Sequence, residues 1–513
     1  MLYLLLASPF VAALVVCLAA GKDSDANFRF GLVLSLAIAV LGLPLVAPGL
    51  VSPGLFAPVS LSWFPLWGTG ATVHLSLASD GLSGWLIQLV TWLTPIAILG
   101  SRRQVGSRMR EFIACVLAME ALMIGALLAR DLVVFYLCFE GMLIPMVVII
   151  ALFGGIERRA AALWFFLYTM LGSIFMLVGI WYIAWMIHST DLRTVIDGMF
   201  AIPAKAQQLL FFSFALAFAV KVPLVPFHGW QPRTYSETPG AGVVLLAGAM
   251  AKIGVYGFLR FVLPIFPALS AEWAHLFIVL GAIATVGGAL VAIAQDDAKR
   301  MLAYSSLSHL GLVMVGIFTF SPLALNGAAV QMVAHGFSVA ALFLLVGYLE
   351  ARAQAVGVDD FGGLADKMPV MALLFVLAAL ASAGLPGTAN FIGEFELLFG
   401  TYRSAGLVTT AIVGIPVILV VVYLLILVQR WFYGAARGHS GQSPEQMTDV
   451  SPAEGIAVAA LLAASFFYGF YPKPISSQAG QIAERLGASA GAEAAALSAP
   501  AADHVAVAPT PVP

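Results

Sequence analysis

Apolar runs of about twenty residues recur along nearly the whole chain, and that is the length one helix needs to cross the hydrocarbon core of a bilayer. In lipid each span must satisfy its own backbone hydrogen bonds, so runs this long can only assemble as a helix bundle. Counting them gives about fourteen spans, near residues 2–20, 30–49, 81–100, 111–129, 132–153, 161–187, 207–223, 240–262, 273–294, 301–319, 326–349, 368–402, 406–431 and 455–471. Of the 513 residues 61% are hydrophobic and 10% charged, where a soluble domain carries about 25% charged. The expected fold class is therefore an all-α polytopic membrane protein. The first run, Leu2 to Ala20, has no positive stretch before it and is followed by another span at about Phe30 to Val46. It is expected to be an uncleaved first helix rather than a removable leader.

Two of the runs are interrupted. Pro223 and Pro226 break the seventh, and Gly384-Leu385-Pro386-Gly387 breaks the twelfth, because a proline ring or a glycine spoils the helical hydrogen-bond ladder. Broken helices at similar places in two five-helix halves point to a repeat built around transport sites. When loops are assigned alternately to two sides, fifteen Lys and Arg fall on the second side and seven on the first, with Lys221 and Lys252 in the spans completing the 24. The positive-inside rule then puts both termini outside the cytoplasm. The segment 476–513, rich in Ala and Pro, is expected to be a disordered tail.

The charges left inside the spans carry the functional reading. Lys221 in FALAFAVKVPLVPF and Lys252 in LLAGAMAKIGVYGF lie at mid-bilayer depth, where a charge costs roughly 2.5–3.5 kcal/mol on insertion scales and usually marks an ion or proton path. Glu140 in VVFYLCFEGMLIPM offers Lys221 a partner of opposite sign, and such a pair changes proton affinity as it forms and breaks. Glu120, near mid-span in CVLAMEALMIG, has no evident partner and reads equally well as a neutral buried carboxyl. His309 and His335 are the histidines set deepest in the second half; each alone is more often a packing residue than a relay, but with the lysines they can carry protons. His228, beside the first break, reads as relay or as cap. Glu394 and Glu396 follow the second break, and two positions apart they face different sides of a helix.

Other signals exclude chemistry. Cys17, Cys115 and Cys138 lie in apolar runs without paired spacing, which suggests neither a disulfide framework nor a zinc or iron–sulfur site. Asp296, Asp297, Lys299 and Arg300 read as a solvated loop cluster. The absence of a Walker loop argues against nucleotide hydrolysis as the energy source. The net charge of −2 points to no partner, and nothing suggests nucleic acid.

In order and spacing FAVKVPLVPFHGWQP, LLAGAMAKIGVYGFLRF, QDDAKRMLAYSSLSHLG, QMVAHG and LPGTANFIGEFELLFG resemble the antiporter-like proton-pumping subunits of respiratory complex I, an NADH-quinone oxidoreductase. The glutamate in GTANFIGEF makes the chain most similar to the chain M group. The resemblance covers roughly residues 1–475. It implies fourteen helices: three N-terminal helices over 1–110, two inverted five-helix repeats at about 111–262 and 273–431, and a last helix with its loop over 432–475. It also implies a proton relay in which Glu140 and Lys221 form a charged pair, Lys252 links the halves, His309 and His335 continue, and Glu394 rather than Glu396 ends the line. Glu120 and His228 are accessory candidates.

No cofactor or metal is expected on this chain. FMN, iron–sulfur clusters and quinone belong to partner subunits, and the partners expected are other membrane-arm subunits, especially sister antiporter-like chains, in a bacterial inner (plasma) membrane. One segment departs from the pattern: where the family usually reads WLPDAH this chain has Trp230-Gln231-Pro232-Arg233-Thr234-Tyr235, which loses an acid and a histidine and gains a base. Two alternatives stay open, a subunit of a multisubunit cation/proton antiporter without redox chemistry and a structural membrane subunit.

Overall fold

The computed structural model describes residues 1–19, 24–47, 57–435, 447–478 and 480, so nearly all of the expected 476–513 tail lies outside the described residues. The chain is mostly helical. Among the described residues eleven helices are long and apolar enough to cross a membrane.

In chain order the elements that matter below are α1 (Leu2–Ala19), α2 (Ser24–Gly42), the strands β1 (Val59–Pro65) and β2 (Thr72–Leu77), α3 (Gly81–Gly100), α4 (Arg102–Leu128), α5 (Leu132–Phe153), α6 (Arg158–Ile187) and α7 (Ala204–Lys221). They continue with α8 (Trp230–Glu237), α9 (Gly240–Ile265), α10 (Ala274–Ile293), α11 (Ala298–Phe318), α12 (Pro322–Ala353), α13 (Pro369–Ser382), α14 (Ala389–Tyr433) and α15 (Pro452–Phe470). α14 is two helices meeting at Gly406, whose φ of 79° is open to glycine and strained for other residues. α9, α11 and α12 form the buried centre, while α6 and α10 carry long apolar faces outward, as lipid-facing helices do.

The sequence reading did not anticipate the one sheet found among the described residues. β1 and β2 pair antiparallel from Val59 opposite Leu77 to Pro65 opposite Thr72, with an irregularity between Ser62 and Phe64. This hairpin marks one face of the bundle, here called the hairpin face. Backbone hydrogen bonds tie it to the turn after α4, through Ala78 N–H to the Leu128 carbonyl and Arg130 N–H to the Ser76 carbonyl.

Asp131 is the hub of that face. Fully buried, its carboxylate accepts from the Val133 and Val134 amides at the start of α5, from the Thr190 hydroxyl at 2.6 Å, and from the His74 amide at 3.0 Å. One side chain thus caps a helix, whose first amides have no partner within the helix, and anchors strand β2 and the loop after α6. Beside it Asp80 caps α3 in a capping box with Ser83 and accepts from the guanidiniums of Arg260 and Arg130. Burial works against the Asp80 carboxylate, but these guanidiniums and the Ser83 amide outweigh it and hold its pKa below the ordinary value.

The opposite face is held by ion pairs. Arg352 forks onto Glu454 at 2.6 and 3.2 Å, and Lys299 meets Glu350 at 2.5 Å. Lys299 overturns the expectation of a solvated loop cluster: it is buried, and its ammonium also donates to the Ser236 and Thr238 carbonyls. Asp297, its neighbour in sequence, caps α11 through the Arg300 amide.

Asp131→Ala should cost about 2 kcal/mol through the lost cap alone. Asp131→Asn, which keeps an acceptor oxygen, should recover part of that loss. Thermal unfolding of the purified protein in detergent checks both.

Candidate functional site

The first break places Lys221. α7 ends on that residue, and Pro223, with a φ of 28°, turns the chain into a short irregular segment before α8. The side chain is 1% exposed, and its Nζ lies 4.8 Å from the centre of the Phe139 ring and 6.0 Å from that of Phe165. Stacking over aromatic faces offsets part of the cost of desolvating an ammonium. Glu140, next to Phe139 in sequence, is the charged group that acts on Lys221 electrostatically. They form no direct ion pair, and Lys221 Nζ and Glu140 Oε1 have no hydrogen-bond partner among the described residues.

Lys252 sits differently. Just before it, Leu246–Met250 forms a widened π-helical turn, an irregularity often found at functional sites. The ammonium donates to the Ala247 carbonyl at 2.5 Å and lies 2.8 Å from Nδ1 of His335 on α12. The rings of His335 and His309, the latter on α11, have centroids 5.2 Å apart. His309 Nδ1 is 3.1 Å from Oε1 of Glu394, and Gln331 Nε2 donates to the same oxygen at 3.1 Å. Four helices therefore bring Lys252, His335, His309 and Glu394 into one buried line.

The second break places the end of that line. α13 stops at Ser382, and Gly384, with a φ of 72°, turns the chain toward α14, whose first turns carry Glu394. A Cβ on Gly384 would lie 2.6 Å from Glu394 Oε2, so the glycine lets the carboxyl approach the backbone. Glu396 points elsewhere and accepts from Asn326 at 2.9 Å. One turn from His309 on α11, Ser305 accepts from the hydroxyl of Tyr423 at 2.6 Å.

The other candidates stand apart from this line. Glu120 is fully buried against α3, and neither of its oxygens has a hydrogen-bond partner among the described residues. His228 lies half-buried in the segment after Lys221, with no partner for Nδ1. In the departing segment Arg233 is exposed and lies over Trp164, 5.2 Å from the ring centre, so the added base does not enter the interior. Gln231 and Tyr235 do enter it, both fully buried. The sequence reading missed Gln331, Ser305 and Tyr423, which are uncharged; the first two lie in the quoted QMVAHG and QDDAKRMLAYSSLSHLG segments but were given no role there. It also missed Arg260, which it counted only as a loop charge.

Toward the hairpin face the site is dry. Phe135 and Phe139 of α5, Phe214 and Phe218 of α7, Phe258 and Phe261 of α9, Phe277 of α10 and Phe318 of α11 form a continuous set of ring contacts with centroids 4.2–6.5 Å apart. On each of these helices the rings lie between the charged level and the hairpin-face end.

Fold and site together define a polytopic helical membrane protein with ionisable side chains joined through its middle. The family described as NADH:quinone oxidoreductase/Mrp antiporter, TM, matches residues 129–420, and the chain belongs to it. It is 41% identical to NADH-quinone oxidoreductase subunit M of Rickettsia prowazekii over 406 residues, which cover 79% of this chain and 82% of that one. Among solved structures it is similar to a chain of respiratory complex I from Thermus thermophilus with bound NADH, at a TM-score of 0.85 and 29% identity, covering 96% of this chain and 100% of that chain. A chain of the Mrp complex from a Dietzia species shares the fold at a TM-score of 0.80 and 21% identity, with 94% and 97% covered.

Gly384→Ala should both strain the left-handed backbone, by about 1–2 kcal/mol, and push the Glu394 carboxyl off His309. A fall in the thermal midpoint that becomes smaller when Glu394→Ala is combined with it would assign the difference to the clash, the remainder being backbone strain.

Proposed function

We propose that this chain is a proton-translocating membrane-arm subunit of a complex I-type quinone oxidoreductase, in which charge rearrangement driven by redox chemistry on other subunits moves protons through Glu140, Lys221, Lys252, His335, His309 and Glu394. The observation that carries this reading is the pairing of Lys252 with His335 at 2.8 Å and of His309 with Glu394 at 3.1 Å, with the two imidazole rings 5.2 Å apart between the pairs. Each member can hold or release a proton, and imidazole does so near neutral pH.

In this scheme Lys221 alternates between a charged form, favoured by Glu140, and a neutral form that has passed its proton toward Lys252. Lys252 gives a proton to Nδ1 of His335 when that nitrogen is the unprotonated one. His335 then releases a proton from its other ring nitrogen to His309, and His309 hands one from Nδ1 to Glu394, which the Gln331 amide orients. Glu120 and His228 remain accessory groups off the line. The halves on either side of Lys252 are read as inverted five-helix repeats over 111–262 and 273–431 of a fourteen-helix bundle, a reading supported by the helix ends at Lys221 and Ser382, each followed by a proline-bearing turn. The lysine and arginine excess puts the face opposite the hairpin in the cytoplasm of a bacterial inner membrane and both termini on the other side. FMN, iron–sulfur clusters and quinone are assigned to partner subunits, with sister antiporter-like chains as neighbours.

The test is purification of the native assembly in mild detergent, with partner chains identified by mass spectrometry and flavin and iron assayed in the same fraction. Co-purifying flavin and iron–sulfur subunits support the proposal. A set of small hydrophobic partners without redox centres would make the chain an antiporter subunit instead.

Two variants test the relay. Lys221→Arg should assemble yet lose pumping by about tenfold or more, because arginine stays protonated at every working pH. Normal pumping by that variant would sink the relay. Glu394→Gln should likewise cut protons pumped per electron in reconstituted vesicles, whereas Glu396→Gln should leave that ratio close to the parent value.

A further inference from the structure

The wall of phenylalanines between the relay and the hairpin face is crossed by one polar column. Lys252, Tyr256 and Arg260 follow one another at intervals of four along α9, the spacing that stacks side chains on one helix face. The Tyr256 hydroxyl donates to the Leu127 carbonyl at 2.9 Å and accepts from Arg260 Nε at 2.9 Å. The Arg260 guanidinium reaches Asp80, and Arg130 lies on the same carboxylate oxygen at 3.4 Å. The Arg260 side chain is 12% exposed and those of Arg130 and Asp80 about twice that, so the column runs from the relay level to the water boundary. Asp131, next to Arg130, turns its carboxylate into the start of α5 and meets no guanidinium.

We infer that Arg260, backed by Arg130 and positioned by Asp80 and Tyr256, is an electrostatic barrier that keeps protons on the hairpin side from returning to Lys252. The inference rests on the proton-relay reading above and adds to it the group that makes transfer one-directional at this point. Elsewhere at this level the aromatic rings exclude water. Within this wall the column of α9 brings a hydroxyl, a carbonyl and charged groups together, and it carries two guanidiniums against one carboxylate. A fixed guanidinium in a narrow, poorly solvated passage repels hydronium, as it does in pores that pass water but not protons. Arginine suits the task because no working pH removes its charge. Asp80 holds the guanidinium in line, and Tyr256 fixes its Nε.

The test uses the native assembly containing this chain, reconstituted in liposomes loaded with a pH-sensitive dye. Passive decay of an imposed pH gradient is recorded without any electron donor. Arg260→Gln should speed that decay by about tenfold or more relative to the parent. Arg260→Lys, which keeps the charge, should stay within about twofold. The informative contrast is Asp80→Asn, which still caps α3 but leaves both guanidiniums, and which should stay tight. Equal leaks from Asp80→Asn and Arg260→Gln would mean a mechanical clamp and would overturn the barrier, as would tight vesicles with Arg260→Gln. If Arg260→Gln does not assemble, Arg130→Gln replaces it, with a smaller leak expected and a tight membrane counting against the proposal. Lys252→Met in the same preparation separates the two claims. Full pumping by that control overturns the relay itself, whereas lost pumping there with a tight Arg260→Gln overturns only the barrier.

Discussion

An ammonium at mid-membrane depth must find acceptors, and the way Lys252 finds them organises the bundle around it. Its two partners come from different places: the Ala247 carbonyl from a widened turn of its own helix, and His335 from α12. The first partner depends on local backbone and the second on tertiary packing, so the lysine is satisfied only when α9 and α12 are in register. His335 in turn faces His309 on α11, and His309 faces Glu394 just past the second break. The most buried helices are therefore the ones that carry the ionisable groups, which is how such groups are tolerated in lipid.

Lys221 shows the complementary arrangement. It lies over aromatic faces with Glu140 near enough to act on it but not bonded to it. A charge held by a ring and a distant carboxylate is more easily reorganised than one held by a carbonyl and an imidazole. Lys221 is thus held loosely, and the groups from Lys252 to Glu394 are held tightly. The phenylalanines around Lys221 do double duty, solvating its charge on one side and drying the bundle on the other.

Much of this was legible in the sequence because membrane insertion makes charge conspicuous. Every relay candidate was read as an ionisable residue in an apolar run, and the prolines and glycines that follow the helix ends at Lys221 and Ser382 stood out in otherwise apolar stretches. What stayed hidden was pairing. Periodicity cannot say that Glu394 meets His309 while Glu396 meets Asn326, because that depends on how α14 is rotated against α11 and α12. Lys299 was read as solvated for the same reason: its carbonyl partners, Ser236 and Thr238, lie about sixty residues away in sequence. The β1–β2 hairpin escaped although its residues alternate apolar and polar, because its strands are only seven and six residues long and lie between two strong helical runs. Arg260 escaped because a span-end arginine is usually a solvated anchor, and its partner Asp80 is 180 positions away.

The widened turn at Leu246–Met250 sets in place one of the two acceptors of Lys252. A π-helical turn holds about one residue more than an α-helical one, so losing one residue there would close the turn and move the Ala247 carbonyl from the place where it accepts from Lys252. The composition of the segment would barely change, and its hydropathy would still read as a membrane span. Substitutions among Leu246, Ala247, Ala249 and Met250 are thus far better tolerated than a change in their number, and over these five residues chain length is held more strictly than chemical identity.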